Sequence, residues 1–186
     1  MLIMLIFYGM LQNPAAADNG RQPGINAIEL ERQIHEQINL ERQNHGLPPL
    51  AMDEKLAVIA RNHSHDMARH QFFNHRNLRG EGPTERGKNQ GWYRKKQIGP
   101  NTWLVSLAEN LFLNHLYDKA VTTIQNGITV KKEYDWKTQK KIALETVKGL
   151  LDSPHHKKNI LSPLYDRQGI GVAISGNDVY VTEDLF

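Results

Sequence analysis

The sequence predicts one domain of the α+β class, with helices covering an antiparallel sheet. Three observations carry that expectation. Apolar residues recur at helical spacing in two early stretches and again around Val147. The C-terminal stretch alternates in period two on either side of Gly176-Asn177, which is the pattern of a hairpin. The 186 residues contain no cysteine, so hydrophobic burial must hold the fold, and a domain of this size buries enough apolar surface to do so.

Taken in order, the chain begins with the uncharged apolar run Met1–Leu11, followed by Pro14-Ala15-Ala16-Ala17. This is the pattern of an export signal with a cleavage site after Ala17. The run is too short to span a bilayer as a helix. Residues 1–17 are therefore expected to be a signal peptide, 18–25 a polar leader, and 26–186 the folded domain. The expected location is extracellular or in the cell envelope.

From Ile25 to His45 the apolar positions Ala27, Leu30, Ile34 and Ile38 mark one helical face. Glu29, Glu31, Arg32, Glu36 and Arg42 are assigned to the wet side. Gly46 should stop this helix, and Leu47-Pro48-Pro49-Leu50 forces an extended crossing. Asp53 then caps a second helix, which runs to about His70 and buries Leu56, Ile59, Ala60, His63 and Met67. Phe72-Phe73 follows as an apolar anchor.

Residues 76–101 are rich in Gly, Arg and Lys without a sustained period, and are expected to form a long irregular surface segment. Val105–Leu113 is a short apolar run that holds one acid, Glu109. A helix is expected from Leu116 to about Asn126, while 128–136 fits no single pattern. Lys137–Leu151 reads as a helix with Ile142, Leu144, Val147, Leu150 and Leu151 inward, and Ser153-Pro154 ends it. In the closing hairpin Ile170, Val172 and Ile174 share one face. Gly169, Gly171 and Ala173 share the other, which leaves room for a helix or a cavity wall.

Charge narrows the partners. A formal net charge of +3 is too small to argue for nucleic acid, and acids interrupt the lysines between Lys131 and Lys158. No H-E-x-x-H, no G-x-S-x-G elbow and no phosphate-binding glycine loop occurs. Of the nine histidines, His75 stands out because it follows the apolar Phe72-Phe73 at a helix exit. Glu109 stands out because a carboxylate inside an apolar run is either turned outward or buried with a partner. In Ser153-Pro154-His155-His156-Lys157-Lys158, adjacent imidazoles point in different directions, so one of the two faces a given site.

The order of these pieces resembles the bacterial branch of the CAP (SCP-like) superfamily, which includes cysteine-rich secretory proteins, antigen 5 and plant pathogenesis-related proteins. Asn39–Leu56, containing Gly46-Leu47-Pro48-Pro49-Leu50, resembles its opening. Phe73-Asn74-His75 resembles its F-x-H element, Ala108-Glu109-Asn110 its G/A-E-N element, and Ser153–Leu161 its S-P-G-H-R-x-N-I-L element. Gly169–Val172 and Tyr180–Thr182 resemble its terminal hairpin. The resemblance spans about residues 26–186.

It implies a three-layer α-β-α sandwich with a central antiparallel sheet ending in the C-terminal hairpin. It also implies secretion and a cleft in which His75, Glu109 and His156 meet. The same resemblance implies that the cleft can hold a divalent metal with His75, His156 and Glu109 as donors, and two imidazoles with one carboxylate are a donor set that suits zinc first. The chain departs from the pattern in three ways. Ser153 stands near the place of a second acid, Leu150 replaces a tryptophan, and residues 76–101 and 115–141 form longer segments. Three functions follow as expectations. The first is an exported protein whose cleft binds a small ligand, a lipid or a cell-surface component without an assigned reaction. The second is a metal-assisted hydrolase of cell-wall or peptide substrates. The third is an adhesion module that uses Trp92, Tyr93 and Trp103.

Overall fold

Residues 22–186 are described by the computed structural model, so the expected signal peptide and the first half of the leader lie outside the described residues. Helix α1 spans Ala27–Asn44, and its N-cap Asn26 accepts from the Glu29 amide. Helix α2 spans Glu54–His70, with the Asp53 carboxylate accepting from the Lys55 and Leu56 amides. Between them Gly46 takes a positive φ of 71° after the helix end, and a two-residue strand β1 covers Ala51–Met52.

The long segment after α2 is more ordered than its composition predicts. Helix α3 covers Pro83–Asn89, with Pro83 in its first turn and the Glu85 carboxylate accepting from the Gly82 amide. Strands β2 (Lys96–Gly99) and β3 (Thr102–Leu104) then form a small hairpin. Strand β4 covers Ala108–His115.

The helix expected over 116–126 is instead strand β5, Tyr117–Gln125, paired with β6, Ile128–Trp136. Val121-Thr122-Thr123-Ile124 is β-branched throughout, which favours a pleated backbone over a helix. Asn126 and Gly127 both take positive φ, as a two-residue turn joining right-twisted strands requires. The ribbon is exposed along nearly its whole length and is anchored at its base by Tyr117, Tyr134 and Trp136, whose rings pack together.

Helix α4 (Gln139–Asp152) ends at Ser153, and a further short helix, α5 (Pro154–Ile160), follows at once. Strands β7 (Arg167–Ser175) and β8 (Asp178–Leu185) close the chain as the expected hairpin.

The main sheet has the order β1-β7-β8-β4, so the C-terminal hairpin occupies its centre. Its long pairings are antiparallel, and only the β1–β7 contact is parallel. On one face Ile170, Val172, Val179 and Val181 pack against Leu30, Ile34 and Ile38 of α1 and Ile142, Val147 and Leu150 of α4. Each such buried aliphatic side chain contributes about 1.5–3 kcal/mol. Leu144, expected inward, is exposed.

The other face carries Gly169, Gly171 and Ala173, and α2 lies directly on it. A Cβ at Gly171 would fall 2.1 Å from the Arg61 amide nitrogen, and one at Gly169 2.1 Å from that of Ala57. Helices thus cover both faces, giving an α-β-α sandwich.

Two residues assigned to the wet side of α1 are buried. Arg42 continues the i, i+4 stripe of Leu30, Ile34 and Ile38 and donates to the carbonyls of Pro48, Ile160 and Ser162. Glu31 accepts from Arg61 and from the Val172 amide. Both residues act as pins between layers.

Candidate functional site

Strand β4 presents Glu109 on the α2 side of the sheet, directly opposite Asp184 of β8. The Glu109 side chain is 1% exposed, so its charge needs compensation. Two donors supply it. His75 Nδ1 donates to Oε1 at 2.8 Å, and the Arg86 guanidinium donates to Oε2. Arg86 is itself buried, with its side chain 4% exposed, and also donates to the carbonyls of His75 (2.7 Å) and Glu81 (3.1 Å). One guanidinium therefore fixes both the carboxylate and the backbone of the histidine that the carboxylate orients.

His75 reaches this position through the exit of α2. Gln71 takes a left-handed φ of 56° and ends the helix. Phe72 then packs edge-on against His63, while Phe73 is exposed, so Phe72 alone anchors the turn. His63 Nε2 donates to the Asn74 carbonyl at 2.9 Å and holds the residue just before His75. Burial keeps the pKa of His63 below the ordinary histidine range.

The His75 side chain is 55% exposed. With Nδ1 donating to a carboxylate, the neutral ring leaves Nε2 as an acceptor.

His156 comes from the other side. Asn110, the neighbour of Glu109, donates to the His156 carbonyl (3.4 Å) and to Glu183 Oε2 (2.7 Å), and accepts from Asn159 (2.8 Å). Through these bonds β4 tethers α5 beside the sheet. Nδ1 of His156 is buried and has no hydrogen-bond partner among the described residues. Partial burial lowers the pKa of His156, and the nearby charges of His75 and then His155 lower it further. Of the expected trio, His75 and Glu109 are in direct contact, and His156 is tied to the same strand through the bond from Asn110 to its carbonyl. Glu109 is buried, His156 partly buried and the His75 side chain half-exposed.

The nearest large cavity, about 480 Å³, opens between α2 and the 77–90 segment. Asp66, Arg69, Glu81 and Arg86 line it, and none of the trio does.

Arg86 and Asp184 have no counterpart in the expectation drawn from sequence. Arg86 sits in the segment read as irregular. Asp184 is fully buried beside Glu109, and neither of its oxygens has a partner among the described residues. Burial, followed by the charge of Glu109, raises its pKa well above the usual carboxylate range.

This arrangement is a poor fit to a divalent ion. Among the described residues no group of three His, Cys, Asp or Glu side chains is placed to hold a metal. Both oxygens of Glu109 are engaged by donors, and one donor is a guanidinium whose positive charge disfavours a second cation alongside. Of the three loop aromatics, Trp92 is buried (6% exposed) against Phe186, while Tyr93 (77%) and Trp103 (48%) are exposed.

Comparison with known proteins follows the same lines. A family model described as CAP, the cysteine-rich secretory protein family, matches residues 35–185. The uncharacterized protein YkwD of Bacillus subtilis (strain 168) is 29% identical over 147 residues, covering 79% of this chain and 44% of its own length. The chain thus spans less than half of that relative.

Among solved structures, an extracellular protein of Bacillus anthracis str. Ames that contains an SCP domain superposes with a TM-score of 0.58 at 21% identity. That match covers 86% of this chain and 41% of the other. An outer surface protein of Borrelia burgdorferi superposes with a TM-score of 0.59 at 16% identity, covering 87% and 95%. At these identities the likeness speaks for the fold.

Proposed function

The chain belongs to the CAP, or cysteine-rich secretory protein, family, and on that premise we propose that it is an exported domain that binds a ligand outside the cell through the surface bearing His75 and His156. The observation that carries this reading is the buried Arg86–Glu109 pair that holds the half-exposed His75. Burying a guanidinium and a carboxylate costs several kcal/mol of desolvation, and apolar residues of similar volume would serve stability at least as well. What the pair adds is orientation, since it aims one half-exposed imidazole with Nε2 outward. His156 adds a second ring beside it.

Two imidazoles on an open surface, flanked by the exposed Lys157 and Lys158, suit a ligand rich in hydroxyl and acidic oxygens, such as cell-wall glycan. Export is supported by the apolar run Met1–Leu11 and by structural relatives described as extracellular or outer surface proteins.

The test is cosedimentation with purified bacterial sacculi. Wild type should pellet with the sacculi, and His75→Ala and His156→Ala should each reduce the pelleted fraction severalfold. Pelleting by the double variant at the wild-type level would overturn the reading. The same tubes address hydrolysis. A carboxylate-oriented imidazole is also the usual form of a general base, and release of soluble fragments by wild type but not by Glu109→Gln would make the site catalytic.

A further inference from the structure

A second site lies at a distance in sequence from the imidazoles, where the 88–107 segment folds back on itself. A cavity of about 310 Å³ has Trp92, Val105 and Leu107 as its apolar walls. Lys88, Arg94 and Lys95 stand around it, and no carboxylate lines it. That volume is at the small end of the roughly 300–1,000 Å³ typical of ligand sites, and matches one bulky apolar group.

Packing and hydrogen bonds hold the walls in place. Trp92 is held edge-on by Phe186, and the Trp92 amide donates to the Gly87 carbonyl. Leu107 is fixed by its amide donating to Thr84 Oγ1 at 3.0 Å. The cations are also placed, because Arg94 lies over the Trp92 ring and Lys95 over the Trp103 ring, each 5.0 Å from the ring centre.

The depression does not end there. A second hollow of about 440 Å³ shares Tyr93, Arg94 and Lys95 with the first and continues past Lys96 to Arg167. Its lone acid, Asp166, is already bonded by Lys96 (2.8 Å) and Arg167 (2.9 Å). The result is an elongated groove, apolar at one end and cationic along its length. In its middle Tyr93 and Arg94 are exposed residues that belong to no strand or helix and make no main-chain hydrogen bond among the described residues.

From these features we infer that the groove binds an extended acidic peptide segment of a partner protein. One bulky apolar side chain fills the Trp92–Val105–Leu107 pocket, and flanking carboxylates meet Lys88, Arg94 and Lys95. The free main chain at Tyr93–Arg94 decides for a peptide over an amphiphile. An extended peptide satisfies those amides and carbonyls by pairing as a strand, whereas an alkyl chain leaves them unmet. A single deep anchor with a charged surround is also how short peptide interfaces concentrate affinity and choose partners.

The test uses the full described domain and a fluorescently labelled, glutamate-rich peptide with one central phenylalanine, read by anisotropy. Wild type should bind it. Replacing the phenylalanine by serine, or the glutamates by glutamines, should each weaken binding by at least about tenfold. Val105→Asp and the paired Arg94→Glu/Lys95→Glu change should do the same, with circular dichroism confirming that these exposed substitutions leave the fold intact. His75→Ala should leave the peptide affinity unchanged, which separates this site from the imidazole surface. Absence of peptide binding, binding insensitive to Val105→Asp, or binding of dodecanoate without binding of the peptide would each overturn the assignment.

Discussion

Arg86 and Glu109 bury opposite charges against each other, and that contact decides where His75 points. Removing one partner leaves the other as an uncompensated buried charge. Arg86→Met is therefore expected to lower stability by about 3–5 kcal/mol. The double change Arg86→Met/Glu109→Gln should be much less damaging than the sum of the two single changes. Urea denaturation of the four proteins forms the cycle, and strict additivity would show that the two charges are not coupled.

His156 should titrate below the ordinary histidine range, because its ring is partly buried and lies near His75 and His155. Replacing His75 by glutamine removes one of those positive charges, so the pKa of His156 should rise while staying low, because burial is the larger cause. Histidine ring NMR across pH 4–9 reads this directly. An unchanged His156 in the variant would place the two rings out of electrostatic range.

Glu183 is fully buried, and its pKa is raised to about 7 by burial, opposed by the Asn110 hydrogen bond and the charge of Arg42. Between the ordinary value of 4.5 and about 7, the folded chain keeps a proton at this position that the unfolded chain has released. Stability from this group is thus complete at acid pH and is lost as pH rises through that window. His63 and His156, with lowered pKa values, act in the opposite sense, so the comparison must be between wild type and Glu183→Gln. Wild type should lose on the order of 3 kcal/mol relative to the variant from pH 4.5 to 7. A pH-independent difference would contradict this.

Gly171→Ala should be among the most damaging single substitutions. Its Cβ would sit 2.1 Å from the Arg61 amide and 2.2 Å from the Ala60 carbonyl carbon, both backbone atoms of α2 that cannot swing aside. Overpacking of this kind costs about 1–3 kcal/mol and more when backbone must move. The expected readout is a large fall in Tm or loss of soluble protein, whereas Gly24→Ala, in open space, should be silent.

The fold was legible where local chemistry and tertiary packing agree. The α2 stripe from Leu56 to Met67 and the alternation about Gly176-Asn177 each need only one element to be read. Sequence reading failed on 116–126, although Asn126-Gly127 between β-branched runs is a hairpin signal that outweighs a loose helical spacing. It also failed on Arg42, where charge was taken as exposure although the residue continues the apolar phase of α1.

The candidate site divides in the same way. His75, Glu109 and His156 are singled out by the motifs around them, and the structure joins His75 to Glu109 directly. Arg86 and Asp184 were not, because each matters only through a neighbour far along the chain. No local pattern distinguishes an arginine that will bury itself against a carboxylate 23 residues away from one that will face water.

The position of the C-terminal hairpin has a consequence for the order in which the domain folds. Strands β7 and β8 come after the other described elements in sequence and also form the centre of the sheet, with α1 and α2 seated on opposite faces of β7. Helices α1 and α2 therefore lack the sheet surface they pack on until β7 and β8 are in place. Contacts of such long sequence separation form slowly. Folding of this domain therefore waits on pairings that join its two sequence-distant halves.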